Sequence, residues 1–395
     1  MDWLILILLV PAIIVPIVLL WGFVGCTEFG SEDSPSLAAP TNLRAKAEGT
    51  NLVKLNWQYT PVGPVTFKVE RVKEGESLPK IQDNLPGPLS FDDTVDLIEG
   101  TTYFYKVRAK TSSGTESDLS NESSATTFPA TPSNVVVTPQ DVNRIDLSWT
   151  NNSTKADQFV ILDKSFPAAS VPKGSPMPFP VPVLEGSTHE FQVAAFVTGF
   201  QENIKQNVRS LPSVPPAPAK PLALKAVLIN DSLNLRGRCL VQRIPKEQLK
   251  NTGTQVKITV RGSTAGGLTI NRIYISQPDA SPPEDPWDPH TDLTKIVNID
   301  LDGPAAAVVL PAATPAASKT LGPIAYNLDA TKDLLIAFDI SNAPGQGDSS
   351  SVGLTGAVAY HKVATEDAAK ADREPGYGNA QGQNKLYLVE KIEVL

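Results

Sequence analysis

The fold is decided by the stretch Leu52-Val53-Lys54-Leu55-Asn56-Trp57, which recurs in altered form as Arg144-Ile145-Asp146-Leu147-Ser148-Trp149. Apolar and polar residues alternate along the first stretch, which is typical of a strand with one face in a core and the other in water. The tryptophans at positions 57 and 149 are 92 residues apart, close to the length of one small β-sandwich. This spacing indicates tandem sandwich modules rather than the shorter units of a solenoid.

Each tryptophan is followed by a second strand-like stretch that begins at a glycine turn. In the first repeat Tyr103 follows the turn Gly100-Thr101-Thr102, where its hydroxyl can form a hydrogen bond with the backbone of the corner. In the second repeat His189 occupies the corresponding position, and the segment Pro167–Pro182 is rich in proline. Proline has no N–H for a sheet ladder, so this segment is predicted to be a long edge loop rather than a central strand.

The first repeat resembles a fibronectin type III domain, and the second resembles a degenerate member of that family that keeps its tryptophan. The resemblance covers roughly residues 38–213. It implies two immunoglobulin-like sandwiches with Trp57, Tyr103 and Trp149 in their cores. Because this module serves many roles, the resemblance implies a spacer or binding function without naming a ligand.

The N-terminus carries an uncharged hydrophobic run of 24 residues from Trp3 to Cys26, and about 20 such residues suffice to cross a bilayer as a helix. The run ends in Phe23-Val24-Gly25-Cys26, which resembles a bacterial lipoprotein cleavage box with Cys26 as the lipid attachment site. No Lys or Arg precedes it, although a secretory signal begins with positive charge. A transmembrane helix and a lipidated Cys26 therefore both remain open, and both place the rest of the chain outside the cytoplasm.

The C-terminal part of the chain contains several short alternating segments separated by turn residues, without any regular alternation of helices and strands. The clearest of these is Val256–Arg261, in which apolar and polar residues alternate without a break. These segments predict a C-terminal β-sandwich of jelly-roll type. The predicted fold class is therefore all-β behind an N-terminal membrane anchor.

Composition changes along the chain set the predicted boundaries. They are an anchor or signal at residues 1–26, a flexible stalk at 27–38, sandwich modules at 39–128 and 129–211, a proline-rich linker at 212–221 and the C-terminal domain at 222–395. The linker is predicted to be extended and semi-rigid because of its prolines. The connection Phe128–Pro132 is short, and we expect few polar contacts across it, so that each module unfolds by itself.

The candidate ligand site is the loop Pro278–Asp292, which holds five carboxylates, one histidine and one tryptophan. Carboxylates so close together repel each other, and Ca²⁺ relieves this repulsion by taking oxygen ligands from an adaptable loop. The candidate calcium ligands are Asp279, Glu284, Asp285, Asp288 and Asp292. The alternative is a solvated acidic loop stiffened by its prolines. Trp287 is predicted either to stack on a ligand such as a sugar or to close the domain core as a lid.

Several functional classes are disfavoured by composition. The net charge of −8 argues against a nucleic-acid partner, which would require a basic surface. The only cysteines are Cys26 and Cys239, which excludes a disulfide framework. The three histidines are far apart, and Asp333 with Asp339 is the best candidate for paired catalytic carboxylates. Those two residues are equally well explained as the ends of a buried strand, so no enzymatic activity is expected.

These patterns predict a membrane-anchored, surface-exposed binding or adhesion protein in which two spacer modules present a terminal ligand-recognition sandwich. The expected partners are the membrane, a glycan or another surface protein, and further copies of the chain. The bulk of the protein is expected at a cell surface, in a periplasm or on a virion. Two alternatives are a structural subunit of a surface assembly or phage virion, and a carbohydrate-active enzyme with accessory modules.

Overall fold

The computed structural model describes residues 37–60, 63–87, 89–278, 286–288, 295–299, 307–345, 347–363, 373, 376–379 and 383–395. The predicted anchor, with Cys26, and all but the end of the predicted stalk lie outside these residues. Within the described ranges, no helix has the length and apolar character needed to cross a membrane. Regular structure in these ranges is β-strand, apart from one 3-10 turn at Lys246–Gln248.

The first module is a two-layer sandwich of seven strands. These are β1 (Thr41–Ala47), β2 (Val53–Gln58), β3 (Val65–Lys73), β4 (Lys80–Pro86), β5 (Ser90–Asp93), β6 (Thr102–Thr111) and β7 (Ser123–Thr126). One sheet has the order β1-β2-β5 and the other has β4-β3-β6-β7. Trp57 lies between the sheets with 4% of its surface exposed, and its ring contacts Phe67 edge-on at 5.2 Å. The hydroxyl of buried Tyr103 accepts a hydrogen bond of 2.7 Å from the N–H of Ile98, which ties the corner to the strand.

The second module also has seven strands in two layers. These are β8 (Ser133–Asp141), β9 (Arg144–Thr150), β10 (Gln158–Asp163), β11 (Phe166–Pro172), β12 (Phe179–Pro182), β13 (Phe191–Gln201) and β14 (Ile204–Arg209). One sheet has the order β12-β9-β8, and the other has β11-β10-β13 with β14 paired to β13. The segment Pro167–Pro182, predicted as a loop, instead supplies most of β11 and β12. Both are edge strands, where a missing N–H faces away from the ladder and costs no pairing.

The centre of the second core is formed by aliphatic residues and two phenylalanines rather than by tryptophan. Ile145, Leu147 and Phe191 are almost completely buried. Trp149 is half-buried at the end of β9 and packs against the side of this core, edge-on to Phe159 at 5.5 Å. The sequence predicts Trp149 as a core residue of its module, whereas the structure places it at the periphery of that core.

The C-terminal domain consists of three antiparallel sheets. Its strands are β15 (Leu224–Lys225), β16 (Ile229–Asn234), β17 (Arg238–Ile244), β18 (Gly253–Arg261), β19 (Leu268–Ser276), β20 (Val297–Asn298), β21 (Val308–Leu310), β22 (Ser318–Leu328), β23 (Leu334–Ile340), β24 (Asp348–Gly353), β25 (Val358–Val363), β26 (Gly378–Asn379), β27 (Lys385–Tyr387) and β28 (Val389–Val394). The sheet orders are β15-β28-β18-β22, β16-β24-β27 and β20-β19-β23-β17-β25-β26, with β21 paired to β19. All pairings within the described residues are antiparallel, as in a layered sandwich.

The large sheet of this domain has apolar packing on both faces. Every residue of β23 is buried, and all but Asp339 are apolar, so the strand does not alternate between apolar and polar residues. Leu334, Ile336 and Phe338 face the main core, while Leu335 and Ala337 belong to a second cluster on the opposite face. This second cluster needs a cover of its own, and the candidate ligand loop supplies part of it.

Candidate functional site

Trp287 covers the second apolar cluster of the C-terminal domain. Its ring lies 5.4 Å from the ring of Tyr360 and 5.5 Å from that of Tyr377. The side chain is half-buried, and its indole N–H is buried without a hydrogen-bond partner among the described residues. Of the two roles predicted for Trp287, these contacts favour the lid.

Asp288, the next residue, helps to hold this lid in place. Its carboxylate accepts a hydrogen bond of 3.0 Å from the backbone N–H of Arg373. The guanidinium of Arg373 is fully buried and donates to the carbonyl of Trp287. Beneath the lid, the hydroxyl of Tyr377 donates to the sulfur of Cys239 at 3.0 Å. Asp288 therefore has a structural partner of its own, which explains its burial without a metal ion.

The other predicted calcium ligands, Asp279, Glu284, Asp285 and Asp292, lie outside the described residues. Within the described part of the chain, no group of three His, Cys, Asp or Glu side chains is arranged to hold a metal ion. The calcium site therefore stays a prediction from sequence.

A cleft of about 420 Å³ opens beside the start of the acidic loop. It is lined by Lys295, Lys332, Tyr326 and Asn327, and also by the carboxylate-bearing residue Asp329. Gln277 also lines it, but its amide is engaged with the backbone of the turn between β22 and β23. The lining offers hydrogen-bond donors and acceptors, charge of both signs and apolar surface, which is a suitable combination for a hydroxyl-rich ligand.

The two carboxylates considered for catalysis do not form a pair. Asp333 accepts hydrogen bonds from Arg243 and from the backbone N–H of Lys246, which fixes the start of β23. Asp339 is buried six residues further along the same strand. Six residues of strand span about 20 Å, whereas paired carboxylates in glycoside hydrolysis lie about 5–9.5 Å apart. Asp333 therefore has a structural role.

His189 lies in a chain of polar side chains at the corner of the second module. Its Nδ1 is 2.7 Å from the carboxylate of Asp163, and its Nε2 is within hydrogen-bond distance of the hydroxyl of Ser187. This is the order of a hydrolytic triad, but the serine donates its single hydrogen to the carbonyl of Leu184. Leu184 precedes His189 by five residues, and in the corner of the first module Ile98 likewise precedes Tyr103 by five residues. The array therefore replaces a tyrosine corner.

The joint between the first two modules is the most extensive polar contact that sequence analysis missed. On one side, the carboxylate of Glu99 from module 1 accepts four hydrogen bonds. They come from the backbone N–H of Ala130, the hydroxyl of Ser153, and both the N–H and the hydroxyl of Thr154, at 2.7–3.0 Å. Gly100 lies so close to module 2 that a Cβ there would be 2.6 Å from the Cβ of Lys155.

On the other side of the connection, the hairpin between β13 and β14 reaches into module 1. The side chain of Gln201 accepts from the N–H of Ala47 at 2.7 Å and donates to the carbonyl of Thr126 at 2.9 Å. The side chain of Asn203 accepts from both the N–H and the hydroxyl of Ser124. Gln201 also pairs with Ala125 in β7, which merges one sheet of each module into a single eight-stranded sheet.

The expectation of few polar contacts across Phe128–Pro132 is therefore wrong. Attachment on two sides of the connection turns a hinge into a fixed joint, because bending toward either side must break hydrogen bonds. A sequence signal was present in Gln201-Glu202-Asn203, a polar tip on a long strand pattern. Glu202 and Asn203 both have positive φ, as a two-residue hairpin turn requires.

The second module is also docked against the C-terminal domain. The N–H of Leu222 donates to the carbonyl of Asp141 at 3.0 Å, and the ammonium of Lys225 donates to the carbonyl of Gln140 at 2.7 Å. Gly186 is close enough to the C-terminal domain that a Cβ there would be 3.0 Å from the carbonyl of Lys250. The proline-rich segment between module 2 and the C-terminal domain is thus fixed at its C-terminal end by these contacts.

No known protein-family profile matches the chain, and no curated protein matches it. Among solved structures, it is similar to a two-domain fibronectin type III segment of chicken tenascin, with 17% identity over 44% of this chain and 98% of that chain and a TM-score of 0.30. It is also similar to an Fn3-like protein from Clostridium thermocellum, with 27% identity over 24% of this chain and 96% of that chain and a TM-score of 0.21. The FN1–FN3 domains of chicken CNTN1 match with 14% identity over 45% of this chain and 67% of that chain, at a TM-score of 0.23.

The paired sheets and the tyrosine corner of the first module are those of a fibronectin type III-like sandwich, and the second module repeats the arrangement. The tandem modules predicted from the sequence are therefore confirmed.

Proposed function

We propose that the protein is an anchored, surface-exposed binding or adhesion protein in which modules 1 and 2 form a stiff spacer that presents the C-terminal sandwich. The observation that carries this proposal is the joint formed by Glu99 and by the β13–β14 hairpin. A joint of this kind fixes both distance and direction between the two ends of the spacer. Spacers of this kind suit proteins that must hold a recognition surface away from the layer to which they are attached.

Distance measurements between spin labels test the spacer. Labels placed in module 1 and in module 2 should give one narrow distance distribution. Changing Glu99 and Asn203 together to Ala should broaden it, because both sides of the joint are then weakened. Changing exposed Glu74 to Ala removes one carboxylate without touching the joint and should leave the distribution unchanged. A broad distribution in the unchanged protein would rule out a stiff spacer.

The hydrophobic run Trp3–Cys26 supports attachment to a membrane. The protein should sediment with membranes, and deletion of residues 1–30 should release it. Mass spectrometry of the mature N-terminus separates the two anchors, since an intact Met1 peptide excludes lipid at Cys26.

The cleft lined by Lys332, Tyr326 and Asp329 supports recognition of a glycan by the C-terminal domain, because it offers a cation, a carboxylate and a ring to sugar hydroxyls. A glycan array probed with the protein should show binding that Lys332→Ala weakens. Lys319→Ala is the matched control, because Lys319 lies on β22 and does not line the cleft. Formation of a regular oligomer without any glycan binding would favour the structural-subunit alternative.

Calcium binding by the acidic loop is a separate part of the proposal. If the loop binds Ca²⁺, adding the ion should raise the thermal midpoint of the C-terminal domain, and Asp285→Asn should abolish the shift. Asp288→Asn is a less direct probe, because it also removes the charge of the acceptor that holds the N–H of Arg373 and so can weaken the lid even without calcium. An unchanged midpoint would remove calcium from the proposal.

A further inference from the structure

Residues 211–221 lie outside the named strands, and proline recurs in them with a period of three. Prolines occur at positions 212, 215, 218 and 221, and three of them follow an aliphatic residue in the pairs Leu211-Pro212, Val214-Pro215 and Ala217-Pro218. A polyproline II helix has three residues per turn, so residues three apart share one face. The sequence therefore forms one ridge of prolines and a neighbouring ridge of aliphatic side chains.

In the structure every third residue of the segment faces module 2, as a backbone with three residues per turn requires. At this face the N–H groups of Ser210, Ser213 and Ala219 donate to the carbonyls of Ala195, Val193 and His189, each at 2.9 Å. The fourth member of the face, Pro216, has no N–H and is half-buried. Prolines at 215, 216 and 218 prevent the segment from forming a last strand like β7 of module 1, which pairs normally with β6.

The other two faces are largely exposed between residues 211 and 218, where Pro212 alone is half-buried. Leu211 is 67% exposed and Val214 is 87% exposed, and Pro215 and Pro218 are exposed beside them. A spacer gains stiffness from proline alone, so the exposed aliphatic residues need another explanation. Both ends of the segment are bound, so a partner would meet a surface that is already ordered and would lose little entropy on binding it.

A free positive charge marks one end of the ridge. Arg209, the last residue of β14, is exposed, and no ion pair to it occurs within the described residues. Arg209 lies three residues before Pro212 and six before Pro215, so it belongs to the same face as the prolines. A guanidinium at this position can pair with a carboxylate on whatever covers the prolines.

We propose that Arg209–Pro218 is a docking ridge for a partner domain whose groove is lined by aromatic side chains and carries a carboxylate at one end. Aromatic rings pack on proline rings and on the adjoining aliphatic side chains, and this is how known domains read polyproline II segments. The carboxylate would pair with Arg209 and so fix the direction in which the ridge lies in the groove.

The test uses the full chain in detergent and, as probe, a purified ¹⁵N-labelled SH3 domain that has such a groove. Titration should shift the amide signals of the groove residues. Pro212→Ala and Pro215→Ala should each weaken binding about tenfold, and Arg209→Ala should weaken it to a similar extent. Pro216→Ala changes a proline on the face that packs against module 2, and Lys205→Ala removes an equally exposed charge from the same strand. Both controls should leave affinity unchanged.

A synthetic peptide of residues 208–220 separates the possible failures. If the peptide binds the probe and the full chain does not, the ridge is covered in the protein and the proposal is overturned. If neither binds, the sequence lacks the recognition chemistry, which also overturns it. If the chain sediments as a dimer that Pro215→Ala dissociates, a second copy rather than a partner domain occupies the ridge.

Discussion

Single carboxylates and hydroxyls decide how the modules are held. Desolvation by burial raises the pKa of Glu99, but the hydrogen bonds from Ser153, Ala130 and Thr154 outweigh it and lower the pKa below its ordinary value. A carboxyl whose pKa is lower in the folded state binds fewer protons there than in the unfolded state. Its contribution to stability is therefore complete above the unfolded pKa and is lost as pH falls through the folded pKa.

The joint between modules 1 and 2 should accordingly weaken below about pH 4.5, the ordinary range of a glutamate. Glu99→Gln should remove part of this pH dependence and lower the free energy of unfolding at pH 7 by about 1–3 kcal/mol, because a charged acceptor of four hydrogen bonds is lost. Chemical denaturation at pH 7 and pH 4 measures both effects. Glu74→Gln, at an exposed site, should change neither. An unaltered pH profile in Glu99→Gln would contradict this account of the joint.

Two tyrosines of module 1 offer a matched comparison. Tyr103→Phe removes the acceptor of the Ile98 N–H and should cost about 0.5–1.5 kcal/mol, the net contribution of an ordinary hydrogen bond. Tyr59→Phe removes a buried hydroxyl that has no hydrogen-bond partner among the described residues, so it should be neutral or slightly stabilising. Thermal unfolding of both variants measures the difference. Equal losses would mean that the corner hydrogen bond contributes nothing of its own.

At the scale of elements, local pattern predicted which residues form strands better than it predicted where the strands meet. Alternation places Leu55 and Trp57 on one face, and the structure buries both. The same reasoning assigned Pro167–Pro182 to a loop, because a missing N–H excludes a central strand but does not exclude an edge. Alternation also says nothing about how far a hairpin tip extends, so the reach of Gln201 and Asn203 into module 1 was not predictable from it.

The candidate ligand loop shows the same limit. Its carboxylates and tryptophan are conspicuous in sequence, but composition cannot tell an exposed tryptophan from one that covers a neighbouring surface. The surface that Trp287 covers comes from β17, β23 and β25, which are distant along the chain. Only the pairing of these strands brings Tyr360 beneath the ring.

Close packing of the hairpin against module 1 gives a prediction at this scale. A Cβ on Gly199 in β13 would lie 2.3 Å from the hydroxyl oxygen of Thr126 in β7, closer than real contacts allow. Gly199→Ala should push the two modules apart and divide their common unfolding transition into two. Gly49→Ala, where the added carbon meets only ordinary contacts, should keep a single transition. Differential scanning calorimetry distinguishes these outcomes. A single transition in both variants would mean that the hairpin shifts to fit the added carbon without uncoupling the two modules.

At the scale of the molecule, the joint between modules 1 and 2 couples the unfolding of one module to that of the other. Trp57→Ala should cost about 3–5 kcal/mol, as expected for a buried tryptophan, and should unfold modules 1 and 2 together. This replaces the expectation from sequence that each module unfolds by itself. Trp149→Ala should cost less, because that side chain is only half-buried. Hydrogen exchange resolved by module checks both, and intact protection of module 2 in Trp57→Ala would contradict the coupling.

The eight-stranded sheet also determines where the chain can be cut for expression. A fragment ending at residue 128 would leave the partner surface of Gln201 bare along β7, with backbone groups open to pairing with other molecules. A fragment beginning at residue 129 would expose the hairpin tip and its polar side chains without their acceptors and donors. The smallest soluble piece should therefore contain both modules and the proline-rich segment that closes the second. Fragments that contain only one of the two modules should therefore aggregate when they are expressed.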